Sequence, residues 1–129
     1  MAEIKQEVTF AAPPEQVFEA LTDSEIFGSA TGRAANIGAE AGSQFERFGG
    51  MITGRNIEKI SNKRLVEAWR VADWPEGQYS VARFDLEGDN GGTRLRFTQG
   101  GHPDEAHEHL EAGWHKMYWE PLKAFLDKQ

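Results

Sequence analysis

Glu67 is the residue whose type and position are best suited to acid–base chemistry. On a predicted strand it has the same parity as Leu65 and Trp69, and side chains two residues apart lie on the same face of a strand. If that face looks inward, the Glu67 carboxylate loses its water, which favours the protonated form and suits a general acid or base. The alternatives are that the parity is locally broken, or that Glu67 forms an ion pair across strands with Arg55 or Arg83.

Other charged residues give weaker signals for a site. His107, Glu111 and His115 recur every four residues on a predicted helix, so they share a face and resemble a set of metal ligands. A row of this length spans about 12 Å, which is too far for one ion to contact all three side chains. We therefore predict no metal site and interpret the row as a solvated helix edge. Arg33 and Arg47 could anchor an acidic ligand, but we interpret both as surface residues in ordinary ion pairs.

Aromatic residues supply the candidate walls of an apolar pocket. Rings at strand and helix spacing are first of all core residues, and a core that they fill completely is the competing outcome. Tyr118 is the best candidate for a polar anchor, because a buried hydroxyl needs a hydrogen-bond partner. The residues that we predict to contact a ligand are Glu67, Trp69, Phe84, Trp114, Met117 and Tyr118.

The elements that would position these residues can be predicted along the chain. Residues 2–10 alternate between apolar and polar side chains, which predicts a half-buried strand. The two prolines that follow end this strand and suit the start of a helix. A short second helix, capped by Asp23 or Ser24, would stop at Gly28. Turn signals then separate five predicted strands of an antiparallel meander, at residues 44–48, 51–60, 64–71, 79–87 and 93–99.

The last segment predicts one long amphipathic helix. From Pro103 onward apolar side chains recur at helical spacing over about 24 residues, enough to cross a whole domain. Pro121 lies inside this helix, removes the backbone hydrogen bond to the Met117 carbonyl, and should kink the helix nearby. We expect Leu110 and Met117 to be buried under the sheet. They belong to an apolar arc that comprises Leu110, Trp114, Met117, Tyr118, Leu122 and Phe125.

These elements have few ways to pack, and together they indicate an α+β fold. The long helix needs a broad apolar surface and the sheet needs one face covered, so the sheet wraps around the helix. A twisted sheet curves away from a helix that is kinked near Pro121, so we predict an apolar cavity beside residues 110–118. The length of 129 residues suits a single domain, which we predict to span residues 1–129.

Composition argues against several classes of protein. The chain has no cysteine, which removes disulfides, thiolate nucleophiles and cysteine-ligated zinc. The formal net charge of −7 opposes binding to phosphate backbones, so no nucleic-acid partner is expected. No stretch approaches the ~18 apolar residues of a membrane span, and residues 1–9 carry no apolar run typical of a signal peptide. We therefore expect a cytoplasmic protein that needs no cofactor.

A set of motifs spread over nearly the whole chain carries a resemblance to a known family. The motifs are Gly54-Arg55-Asn56-Ile57, Trp69-Arg70, Trp74-Pro75-Glu76-Gly77 with Tyr79-Ser80, Thr93-Arg94-Leu95, and Gly113-Trp114 with Tyr118-Trp119 and Pro121-Leu122. In these the chain resembles the activator of heat-shock-protein-90 ATPase homologue-like family. That family is part of the START-like superfamily, with the birch pollen allergen and the polyketide cyclases. The resemblance implies a helix-grip fold, in which a curved antiparallel sheet wraps around a long C-terminal helix, but it implies no single activity.

Three functions compete for this fold. The first is a binding module that holds a small apolar or aromatic molecule in the cavity. The second is an enzyme of the cyclase or hydrolase type that uses Glu67, Tyr118 or a histidine, and it needs at least two polar groups that converge in the pocket. The third is a protein-binding cofactor of a chaperone ATPase. We do not expect a chaperone partner, because the eukaryotic activators that the chain resembles carry a further N-terminal domain. Whether the chain forms a homodimer stays open.

Overall fold

The fold is built on one antiparallel sheet. The computed structural model describes residues 3–127, so Ala2, at the start of the predicted first strand, lies outside the described residues. The strands are β1 (Ile4–Phe10), β2 (Asn36–Ile37), β3 (Gln44–Arg47), β4 (Ile52–Ile60), β5 (Arg64–Val71), β6 (Ser80–Asp89) and β7 (Gly92–Gly100). They lie in the order β1-β7-β6-β5-β4-β3-β2, and every neighbouring pair is antiparallel. The predicted meander of hairpins is confirmed.

Two short helices, α1 (Pro14–Thr22) and α2 (Ser24–Thr31), follow the first strand. The carboxylate of Asp23 caps α2, because its Oδ1 accepts a hydrogen bond from the Ile26 backbone N–H at 3.0 Å. The prediction that Gly28 stops this helix was wrong. The helix ends at Thr31 and is capped by Gly32, whose φ of 76° is the left-handed conformation that terminates helices and favours glycine.

One face of the curved sheet and the long C-terminal helix enclose the core. Along β5, Leu65, Glu67 and Trp69 are all buried, with at most 2% of each residue exposed. The predicted parity of this strand is therefore confirmed, and its inward face is continuous with the buried rings of Phe84 and Phe97 on the next two strands. The architecture is α+β, as predicted, with the sheet wrapped around the helix.

The C-terminal helix (residues 107–126) is continuous but not uniform. It consists of α3 (His107–Gly113), a π-helical segment (Trp114–Trp119) and α4 (Glu120–Leu126), and the residues at both junctions keep right-handed helical dihedrals. Pro121, which has no backbone N–H to donate, lies just after the π-helical segment. The helix therefore departs from regular α-helical geometry near its proline, in the widened turn of the π-helical segment. None of the helices in residues 3–127 is long and apolar enough to cross a membrane.

The widened turn changes which side chains face the core. In a regular α-helix, Trp119 would point about 140° away from Trp114, because each residue turns the helix by about 100°. A π-helix bonds residue i to i+5, and the two indole rings stack with centroids 5.6 Å apart. Trp119 is only 2% exposed, although the apolar arc did not include it. Leu110 is buried as expected, but the expectation for Met117 was wrong, because that side chain is only half-buried.

Candidate functional site: an apolar cavity beside the C-terminal helix

An apolar cavity lies between the C-terminal helix and the sheet, where β4 begins and β5 ends. Its volume is about 370 Å³, which falls within the ~300–1,000 Å³ typical of small-molecule pockets. The elements around it contribute Phe48, Met51, Ile52, Trp69, Val71, Asp73, Trp74, Glu105, Ala106, His109, Leu110, Gly113, Trp114, Met117 and Tyr118.

Burial divides this lining into a floor and a mouth. The floor is aromatic, because Trp69, Trp114 and Tyr118 are each only 2% exposed. Their rings form one contact chain, with centroid distances of 5.2 Å from Trp69 to Trp114 and 4.1 Å from Trp114 to Tyr118. Exposed residues of the lining define the mouth: Met51, Asp73, Glu105 and His109.

The residues that line the cavity overlap with those predicted to contact a ligand. Trp69, Trp114, Met117 and Tyr118 belong to the lining, whereas Glu67 and Phe84 do not. Phe84 is fully buried and packs against Phe97 and Trp114, at centroid distances of 5.1 and 5.8 Å. Strand parity predicted the correct face for Phe84. It could not predict that the core at this point along the strand is filled by aromatic rings.

Glu67 is held by a buried arginine instead of facing the cavity. The Arg47 Nη1 and Nη2 groups donate to the two Glu67 carboxylate oxygens at 2.8 and 2.7 Å, and neither side chain has any exposed surface. Nη2 also donates to the Leu21 carbonyl at 2.9 Å, and the guanidinium lies against the rings of Phe27 and Phe45. Burial opposes the guanidinium charge, but Glu67 and Tyr118 together outweigh burial and raise the pKa of Arg47 above its ordinary value.

This ion pair corrects two interpretations from the sequence. Arg47 is not a surface residue, and the partner of Glu67 is neither Arg55 nor Arg83. The signal that could have revealed it is parity, because Arg47 follows Phe45 by two residues and so shares its inward face on β3. Two inward-facing groups of opposite charge on one sheet must find each other, since a lone buried charge is costly.

Tyr118 connects the ion pair to the cavity floor. Its hydroxyl oxygen accepts hydrogen bonds from Trp69 Nε1 at 3.1 Å and from Arg47 Nη1 at 3.5 Å. Neither group can accept a proton in return, and the bonds within residues 3–127 include no acceptor for the Tyr118 O–H. Burial raises the pKa of Tyr118, and the Glu67 charge adds to that effect while Arg47 opposes it. The hydroxyl therefore stays protonated and has a hydrogen-bond donor to offer.

A chain of hydrogen bonds connects the Trp114 indole to the Trp69 backbone. Trp114 Nε1 donates to Gln99 Oε1 at 2.8 Å, Gln99 Nε2 donates to Ser80 Oγ at 2.9 Å, and Ser80 Oγ donates to the Trp69 carbonyl at 2.8 Å. Gln99 and Ser80 are buried, so these bonds are shielded from water. Gln99 was not among the residues predicted from the sequence, although its parity on β7 matches that of buried neighbours.

The wall next to Trp69 is a loop held by Arg70. The Arg70 guanidinium donates to the backbone carbonyls of Trp74 and Gln78, the latter at 3.2 Å, and lies 5.8 Å from the Tyr79 ring centroid. These contacts place the Trp74 ring edge-on against Trp69, with centroids 5.9 Å apart. Of the motif residues in this loop, Trp74 thus lines one side of the cavity.

The histidines of the last segment make a pair rather than a row. His102 Nε2 and His107 Nδ1 lie 2.8 Å apart, with His102 only 4% exposed, while Glu111 and His115 are exposed. Burial, followed by the nearby His107, lowers the pKa of His102. Residues 3–127 contain no cluster of three histidine or acidic side chains that could hold a metal ion.

A family model agrees with the fold and the motifs. The model described as "Activator of Hsp90 ATPase homolog 1-like protein" matches residues 11–127. The chain belongs to this family. Its fold is the helix-grip fold, as the resemblance implied.

Individual relatives give the same result for the fold. The human "Activator of 90 kDa heat shock protein ATPase homolog 1" is 29% identical over 115 residues, which are 89% of this chain and 34% of the human protein. An HSP90 activator from Plasmodium falciparum has a TM-score of 0.91 at 24% identity, with 98% of this chain and 96% of that chain covered. The Aha1 dimer from Colwellia psychrerythraea has a TM-score of 0.82 at 25% identity, with 98% and 97% covered. The chain spans about a third of the length of its curated human relative.

Proposed function

We propose that this domain binds a small apolar or aromatic molecule in the cavity beside the C-terminal helix. The observation that carries the proposal is a cavity of about 370 Å³ whose aromatic floor is fixed in place by buried hydrogen bonds. A ligand that enters it exchanges water for contact with Trp69 and Trp114, and apolar burial is worth about 25 cal/mol per Å². The ligand-contacting residues would be Trp69, Trp114, Met117 and Tyr118.

Tyr118 would provide the polar anchor inside this apolar site. Its hydroxyl is oriented by two donors, Trp69 and Arg47, and its own proton has no acceptor within residues 3–127. A carbonyl or ether oxygen on the ligand could accept that proton. Ligand pockets commonly combine apolar walls with a few placed polar groups of this kind. Glu67 serves the site indirectly, through Arg47, which weighs against an enzyme that would use its carboxylate.

Gly113 allows a direct test of ligand binding. It lines the cavity, and a Cβ added there would meet no neighbouring heavy atom within 4 Å. Gly113→Phe should fill part of the cavity with a benzene-sized group of roughly 150 Å³, whereas Gly113→Ala adds only a methyl group. We expect a neutral, environment-sensitive naphthalene dye to bind the native protein and Gly113→Ala with saturable 1:1 stoichiometry, and to bind Gly113→Phe at least about tenfold more weakly.

Urea melts of both variants provide the control, because a variant that stays folded but loses the dye has lost only the cavity. Equal dye binding by the native protein and a folded Gly113→Phe would place the dye elsewhere and refute the proposal. Absence of saturable binding to the native protein would refute it as well.

A second candidate is a cofactor of a chaperone ATPase. The family description and the human relative's name favour it, since both refer to activation of the 90 kDa heat-shock-protein ATPase. The match covers only 34% of that relative, so the activity of the whole human protein is only proposed for this chain. We rank this role second and expect the purified chain alone not to accelerate the ATPase of a chaperone from the same source. A several-fold stimulation at stoichiometric protein would reverse the ranking.

A further inference from the structure

Charge at the mouth of the cavity narrows the class of ligand. Asp73, in the loop after β5, and Glu105, in the turn before the C-terminal helix, both line the mouth and are exposed. Neither forms an ion pair within residues 3–127. The lining contains no lysine or arginine, and the chain as a whole carries a net charge of −7. The mouth also contains His109. A molecule that enters the cavity therefore passes two carboxylates that no lysine or arginine of the lining neutralises.

The arginine and the lysine nearest in sequence to the lining residues are not part of the lining. The Arg70 guanidinium is occupied by the carbonyls of the loop that it holds and by the Tyr79 ring. Lys116 lies on the C-terminal helix between two residues of the lining, Trp114 and Met117, but is exposed and is not part of the lining. Among the aspartate, glutamate, lysine and arginine residues within 3–127, only Asp73 and Glu105 line the cavity, and the field of their carboxylates attracts cations.

The aromatic lining of the cavity, which includes the half-buried Trp74, favours the same sign of charge. Aromatic faces carry partial negative charge and attract ammonium groups, most strongly on tryptophan. The lining contains three tryptophans, Trp69, Trp74 and Trp114, together with Phe48 and Tyr118. The aromatic lining and the mouth carboxylates are independent features, and they agree.

We propose that the cavity selects amphipathic organic cations, molecules with an apolar or aromatic body and an ammonium head that remains at the mouth beside Asp73 and Glu105. This inference rests on the proposed ligand-binding function and adds the charge of the ligand to it. It separates the site from one for fatty acids or other organic anions, whose carboxylate would meet like charges at the mouth. The apolar body supplies the affinity and the head group supplies the selectivity.

Three probes with one skeleton test the proposal: naphthylethanol, naphthylethylamine and naphthylacetate, which are neutral, cationic and anionic at neutral pH. Isothermal titration calorimetry with the full chain measures the Kd of each at low and at high salt. At low salt we expect the amine to bind about tenfold more tightly than the acetate, with the alcohol between them, and the difference to shrink at high salt because exposed charges are screened.

Matched variants locate the effect. Asp73→Asn/Glu105→Gln should remove most of the preference for the amine while leaving the Kd of the alcohol unchanged. The control is Glu76→Gln/Glu108→Gln, which makes the same change of charge at exposed residues outside the lining, each three positions along the chain from Asp73 or Glu105. This control should keep the preference.

The outcomes distinguish the two proposals. If the alcohol binds but the acetate binds as tightly as the amine, the charge selectivity is wrong and the ligand-binding function stands. The same conclusion follows if the mouth variant keeps the full preference for the amine, or if the control variant loses it equally. If none of the three probes binds, both proposals fall together.

Discussion

Removing the Glu67 carboxylate while Arg47 stays in place should cost the fold several kcal/mol. In Glu67→Leu the guanidinium loses both of its short bonds, at 2.8 and 2.7 Å, in a site where neither side chain is exposed. It keeps the Leu21 carbonyl and its contacts with aromatic rings, but these do not neutralise its charge. Breaking a buried pair in this way typically costs about 3–5 kcal/mol. With a urea m-value of about 2 kcal/mol/M, the unfolding midpoint should fall by about 1.5–2.5 M.

Removing both charges should restore most of that loss. In Arg47→Met/Glu67→Leu no charge remains buried, and the main residual cost is the Leu21 carbonyl without its donor, about 1–3 kcal/mol. We therefore expect the double variant to be more stable than Glu67→Leu, with a coupling energy of at least about 2 kcal/mol in the double-mutant cycle.

An exposed pair provides the matched control for this cycle. Arg96 and Glu7 are bonded at 3.3 Å on the outer face of the sheet, and more than half of each side chain is exposed. The corresponding substitutions there should change stability by less than about 1 kcal/mol. If Glu67→Leu costs less than about 1 kcal/mol, or if the two single losses simply add, the buried ion pair does not have the role that its geometry indicates.

Three further outcomes follow from the same structure. The pKa of His102 is lowered in the folded state, so the unfolded chain takes up the proton first and stability should fall as the pH falls below about 6.5. Urea melts should show a smaller fall for His102→Gln. The exposed His115→Gln is the control and should behave like the native protein. Gly54→Ala should prevent folding or lower the stability of the fold severely, because the added Cβ would lie 1.9 Å from the Ala68 carbonyl oxygen. Gly113→Ala, by contrast, should stabilise the helix by about 0.5–1 kcal/mol in thermal melts. Leu110→Ala should cost about 2–5 kcal/mol and the half-buried Met117→Ala clearly less, and equal losses in denaturant melts would contradict the observed difference in burial.

Local patterns in the sequence predicted most of the fold. Alternation along β5 placed Leu65, Glu67 and Trp69 on the inward face, and turn signals separated the strands at nearly the observed positions. These signals are local, because a strand repeats every two residues and a turn is set by a few residues. The family motifs then agreed with the packing, since Arg70 holds the loop whose Trp74 lines the cavity.

The parts that the sequence did not predict depend on contacts between distant residues. Arg47 and Glu67 lie on strands separated by β4, and no local pattern pairs them. The burial of Trp119 was not predicted, because a single period of about 100° per residue was applied to a helix that contains a widened turn. Phe84 was placed in the site because parity gives the face of a residue but not how far along a curved sheet the core is filled.

The cavity has the features of a site more than those of a packing defect. An apolar void forfeits dispersion contacts along its whole lining, and Gly113 adds to that cost, because glycine in a helix is less stable than alanine. A larger side chain at Gly113 would have room to reduce both costs. Meanwhile the Trp69 and Trp114 rings beside the cavity are each fixed by a hydrogen bond at the indole N–H. The Tyr118 hydroxyl is oriented by the bond from Trp69, and its own O–H has no acceptor within residues 3–127. Open space beside residues that are held this firmly is expected where a ligand completes the packing.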